Sequence, residues 1–194
     1  MLVLTWGFQM FLAGMPMLFV ICIVALAPLG LVVAYFTLVH VHKRINQFWE
    51  GGAWQVEKAR NSFANGGLFG VGPGDGTVKH HLPDAHSDFI FAVAGEEFGA
   101  LACLTLLTLY AFIVLRGFSR AMSDEGLFCL IASASLLLQF GLQAAIHMAS
   151  SVHLIPTKGM TLPLISYGGS SLVASGLTMG LILALTRRRA PYVL

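Results

Sequence analysis

Leu127–Ile155 reads LFCLIASASLLLQFGLQAAIHMASSVHLI. No Asp, Glu, Lys or Arg interrupts it, and it exceeds the roughly 20 apolar residues that a helix needs to cross a bilayer core. A helix satisfies its backbone hydrogen bonds internally, which is the condition for crossing hydrocarbon. Three more segments meet the same criterion: Met15–Val39, Phe89–Leu115 and Leu164–Thr186. A partial one, Leu2–Ala13, is stopped by Gly14 and Pro16. Pro28 and Gly30 are expected to kink the second segment, as neighbouring helices can tolerate. The fold class expected is an all-α, polytopic transmembrane helix bundle. It has about four full spans, a partial first one and one large outer loop at 40–87, all within a single membrane domain, 1–194.

Composition agrees. Of 194 residues 57% are hydrophobic and 10% charged, whereas soluble domains carry about 25% charged residues. Mean hydropathy is +0.80. A water-soluble enzyme is excluded. The formal net charge of +2 argues neither for nor against an anionic partner, and nothing points to nucleic acid. Cys22, Cys103 and Cys129 lie in apolar runs without metal-ligand spacing and read as small membrane-core residues. No basic region precedes the first apolar run, so no cleavable signal peptide is expected. The first charged residue is Lys43. A membrane protein rarely begins in mid-span, so the chain is expected to be part of a longer one.

Short loops set orientation. Arg116 and Arg120 follow the Phe89–Leu115 candidate, and Arg187, Arg188 and Arg189 follow the last. Both ends are expected in the cytoplasm, with 40–87 and 156–163 outside. The outer loop carries Lys43, Arg44, Lys58, Arg60 and Lys79, a mild conflict in a loop long enough to weaken the rule. Trp49–Trp54 and Phe63–Phe69 mix aromatic with small residues, a pattern suited to segments at the interface.

Lys79-His80-His81-Leu82-Pro83-Asp84-Ala85-His86-Ser87-Asp88 runs directly into an apolar helix. Asp88 has two compatible readings. Ser87 or Asp88 can cap the helix N-terminus, or Asp88 can serve as a general base at the bilayer surface. Adjacent His80 and His81 diverge and no cysteine joins them, which argues against zinc. Glu96 and Glu97 lie deeper in the same helix. Carboxylates there are costly unless paired, and a structural ion pair or hydrogen bond is expected, with Lys158 or a histidine as partner. Gly70–Gly74 lacks the Lys-Ser/Thr ending of a phosphate loop and reads as a turn cluster. Pro156–Ser171 leaves one span and enters the next; its hydroxyls and glycines can line a wet crevice. Lys158 either snorkels or holds an anionic head group.

The same stretches carry a resemblance. LPDAHSDFIFA at 82–92, GEEFG at 95–99 and PTKGMTLPLISYGGSS at 156–171 resemble the motifs of the SEDS (shape, elongation, division, sporulation) family, in its division-type, FtsW-like branch. Gly66–Gly72 is also similar to a family loop. Asp84, Ser87 and Met160 depart conservatively, standing where the family usually has Glu, Thr and Leu. The resemblance is to the C-terminal part of that family. It implies a ten-span inner-membrane glycosyltransferase that polymerises lipid II into β-1,4-linked glycan and releases undecaprenyl pyrophosphate. It places the family's essential aspartate at Asp88, the expected catalytic base. Lys79, His86, Lys158, Ser166 and Ser170 are the expected substrate-binding residues, with Glu96 and Glu97 structural. No cofactor is required by this reading, although a divalent Mg or Mn ion could serve the pyrophosphate. The implied partners are a class B penicillin-binding protein and other division membrane proteins, at the septum. A lipid II flippase and a non-catalytic division scaffold are the alternative functions.

Overall fold

The computed structural model describes residues 1–49, 54–81, 85–123, 126–156 and 159–187. Among the described residues seven helices succeed one another: α1 (Leu2–Leu12), α2 (Met17–Thr37), α3 (Val39–Trp49), α4 (Trp54–Gly66), α5 (Ile90–Ala121), α6 (Leu127–Ser151) and α7 (Gly169–Leu185). A short 3-10 turn, Val78–His81, lies between α4 and α5. Among the described residues there is no strand. The architecture is an all-helical membrane bundle, and α5 and α6 are long and apolar enough to cross a bilayer.

Helix boundaries depart from the hydropathy reading where the backbone is broken. Gly14 takes φ 84° and Pro16 caps α2, where its missing N–H costs nothing. The last helix starts at Gly169 rather than Leu164. Pro163 cannot continue a helix and Leu164 sits at φ 66°, so 159–168 stays irregular and folds against the bundle. After α2, Leu38 is extended and α3 folds back. The Tyr35 hydroxyl donates to Asn46 Oδ1 at 3.2 Å. Val41, Ile45 and Phe48 share one half-buried face while Lys43 is exposed, the pattern of an interfacial helix.

The third expected span is not one continuous helix. Gly99 has φ 78° and ψ −179°, a region open essentially to glycine alone. The α5 backbone breaks there, and loop 66–72 fills the break from both sides. Val71 N donates to Glu96 O at 3.0 Å, Gly72 N to Glu97 O at 3.1 Å, and Ala100 N to Gly67 O at 2.9 Å. A Cβ at position 99 would stand 2.4 Å from Leu68 O, so the approach itself also demands glycine.

Glu96 anchors the turn at 77–79. Its side chain is fully buried and accepts from Asn65 Nδ2 at 3.0 Å, Thr77 N at 2.9 Å, Val78 N at 3.0 Å and Lys79 N at 3.2 Å. Glu97 pairs with Lys79 Nζ at 2.5 Å, and the same ammonium reaches Gly74 O at 2.8 Å. Among the described residues the partners of the two carboxylates are Lys79, Asn65 and the backbone, and no histidine is among them. Lys158 lies outside the described residues.

Two substitutions test this arrangement. Gly99→Ala should cost about 1–3 kcal/mol in backbone strain alone, read as a lowered thermal midpoint in detergent. Glu96→Ala leaves several buried N–H groups unpaired at roughly 1–3 kcal/mol each. It should raise the rate of proteolytic cleavage within 66–79 by about tenfold or more while the membrane helices stay protected.

Candidate active site

Asp88 sits on the turn that leads into α5. The N-cap position of that helix falls on Phe89, without a side-chain cap bond. Neither Ser87 nor Asp88 occupies the capping position that the sequence allowed. The turn is held from below by apolar contact. Phe89, Ala92 and Ala59 of α4 form a buried cluster, with Phe63 and Ala85 against it.

It is held from the side by 159–168, the segment that continues into α7. Ser166 is buried and ties the two stretches. Its Oγ donates to Ser87 O at 2.7 Å and accepts from Leu162 N at 2.7 Å. Tyr167 N donates to His86 O at 3.0 Å, and the two rings meet edge to face at 5.5 Å. Gly159 has φ 60°, and a Cβ built on it would stand 3.2 Å from Asp88 Oδ2. The Asp88 carboxylate thus faces a backbone surface that only glycine leaves open.

The segment 159–168 is itself pinned to α5 and α6. Leu162 is 1% exposed and belongs to the core cluster of Phe91, Cys103, Tyr110, Phe140, Ala144 and Met148. The Tyr110 hydroxyl donates to Pro163 O. Gln143 Nε2 donates to Thr161 O at 3.1 Å. The His147 ring meets Met160 O through Nδ1 at 2.6 Å. Loop bonds to hydroxyls, amides and carbonyls replace the helix bonds that Pro163 and Gly168 forbid.

Beneath this clasp, between α6 and α7, lies a cavity of about 400 Å³ lined by Gln139, Gln143, Ser170, Ser171, Ser175 and Thr178, with Phe140 and Ala174 as its apolar wall. Every polar group in its lining is uncharged.

The fold brings together only some of the residues singled out in the sequence. Asp88, His86 and Ser166 meet at the clasp. Ser170 lines the cavity. Lys79 is engaged with Glu97 and Gly74 O. Lys158 and Asp84 lie outside the described residues. Gln143, His147 and Gly159 were not among the expected site residues. Gln143 and His147 were visible only as polar residues inside a span, itself a signal of function or partnership. Among the described residues no three His, Cys, Asp or Glu side chains gather to hold a metal.

Comparison with known proteins places this geometry. Residues 1–190 match the FtsW/RodA/SpoVE cell cycle protein family. The probable peptidoglycan glycosyltransferase FtsW of Caulobacter vibrioides is 43% identical over 192 residues, 97% of this chain and 49% of that protein. The peptidoglycan glycosyltransferase RodA of Mycobacterium leprae is 35% identical over 178 residues, 89% of this chain and 38% of that protein. A chain from a solved peptidoglycan synthase complex, which coordinates polymerization and crosslinking, superposes with a TM-score of 0.72 at 26% identity. The match covers 97% of this chain and 56% of the other. The chain thus spans about half the length of the Caulobacter relative. With that family match over nearly its whole length, the chain belongs to the FtsW/RodA/SpoVE family of cell cycle membrane proteins.

Proposed function

We propose that the whole protein carrying this chain is a peptidoglycan glycosyltransferase. It polymerises lipid II into β-1,4-linked glycan strands at the outer face of the bacterial inner membrane during division. The observation that carries this reading is the clasp: a carboxylate at the mouth of a membrane bundle, fixed by two segments far apart in sequence and open toward Gly159. The names of the relatives support the general activity.

The chemistry is substitution at an anomeric carbon. The acceptor sugar hydroxyl must lose a proton and the leaving pyrophosphate must carry charge. Asp88 accepts the proton. His86, exposed and edge to face with Tyr167, orients the carboxylate or the acceptor sugar. Lys158 meets the pyrophosphate. Lys79 is spent on Glu97 and serves the loop. Ser166 serves the clasp, and Ser170 in the cavity faces the uncharged part of the substrate. The lipid tail stays in the bilayer, which is why the reaction runs on membrane helices. In this reading α5 begins and α6 ends at the outer face, and the C-terminus is cytoplasmic. A class B penicillin-binding protein is the expected membrane partner, since crosslinking must come after polymerisation.

The polar cavity between α6 and α7 favours one second reading, passage of the lipid II head group across the membrane. A passage has no need of a base at one mouth.

The test is polymerisation of lipid II by the whole protein with its partner in proteoliposomes. Wild type should form glycan strands, and Asp88→Asn, equally well folded, should be slower by about 10² or more. Equal polymerisation by both would remove the base from Asp88. Lipid II crossing the bilayer without polymerisation would favour the passage.

A further inference from the structure

His147 stands on the last turn but one of α6, apart from the residues assigned to the reaction. It is completely buried. Its Nδ1 lies 2.6 Å from Met160 O. A carbonyl oxygen can only accept, so Nδ1 carries the hydrogen and the neutral ring leaves Nε2 bare. Nε2 is indeed buried without a hydrogen-bond partner among the described residues, a state cheaper for a lone pair than for an N–H. The main-chain oxygen of His147 is occupied too, accepting from Ser150 Oγ at 2.8 Å and Ser151 Oγ at 2.9 Å. The residue is thus fixed at both backbone and ring.

The carbonyl it grips belongs to the residue after Gly159. Gly159 is the position whose Cα faces the Asp88 carboxylate, at a distance set by the built Cβ contact of 3.2 Å. The chain of contact runs from ring to Met160 carbonyl, to Gly159 backbone, to Asp88 Oδ2. A ring that lets go frees the Gly159–Met160 backbone and with it the wall against which the carboxylate is set.

We propose that His147 is a positioning residue for Asp88. Its Nδ1–H holds the Gly159–Met160 backbone in register with the carboxylate, and it touches no substrate. The inference rests on the polymerase reading for its kinetic test. Displacement of a reacting group by about 1 Å can cost about 10²-fold in rate, so the effect should fall on turnover rather than on substrate affinity.

Three variants of the whole protein separate the possibilities: His147→Ala, His147→Asn and His147→Gln. Asparagine puts an N–H near the place of Nδ1, whereas glutamine puts one near Nε2. In lipid II polymerisation His147→Ala and His147→Gln should lose about 10- to 100-fold in kcat with KM nearly unchanged, and His147→Asn should recover most of the loss. Asparagine no better than glutamine, or a loss confined to KM, would overturn the proposal. Independently of activity, the nitrogen-15 histidine resonance that disappears in His147→Asn should report a neutral ring protonated at Nδ1. A ring protonated at Nε2 would overturn it. If polymerisation proves independent of Asp88, the functional reading fails, and the tautomer alone then decides whether His147 holds Met160.

Discussion

Backbone groups inside hydrocarbon have no water to turn to, and α5 is interrupted at Gly99. That break frees the carbonyls of Glu96 and Glu97 and the amide of Ala100 from their helix partners. The structure meets the demand with another stretch of backbone. Loop 66–72 enters the break and takes up all three groups. Loop 66–72 and the turn at 77–79 are both held against α5 around that break. The loop fixes where α4 ends, Glu96 fixes the turn at 77–79, and α4 in turn supports Phe89 beneath Asp88.

The site is built by the same rule a second time. At 159–168 the chain again leaves helical geometry beside the bundle, and again its polar groups are answered by neighbours: Ser166 to Ser87, Gln143 to Thr161, His147 to Met160. The apolar side chain of Leu162 seals the arrangement into the core of α5 and α6. A carboxylate mounted on two irregular segments would ordinarily be mobile. Here each segment is tied to rigid helices by buried hydrogen bonds, and fixed placement of this kind is what acid–base chemistry on a large lipid-linked sugar needs.

Much of this was legible in the sequence, and the failures share one cause. Hydropathy found the apolar helices, since length and absence of charge are local properties, but not α3 and α4, which fall in the stretch read as outer loop. It could not find the break at Gly99 or the late start of α7, because both depend on a partner backbone distant in sequence. Glycine at 99 and at 159 was visible, but nothing local says which glycine will meet a carbonyl or a carboxylate. Asp88 stood out because charge before an apolar run is conspicuous. The pairing of Glu97 with Lys79, 18 positions away, was hidden because Lys79 reads as a substrate cation. His147 is legible in the sequence only as a polar residue within a span, since its value lies in one contact across 13 positions.

The central claim is that these irregular segments form one locked unit behind Asp88. Amide hydrogen exchange on the whole protein in a membrane tests it most directly. The amides of Val71, Gly72, Ala100 and Tyr167, each a donor across segments, should exchange as slowly as those within α5 and α6. Exchange at the rate of an open loop at Val71, Gly72 and Tyr167 would contradict the account. Asp88 would then lie on mobile chain, with no fixed geometry from which to act.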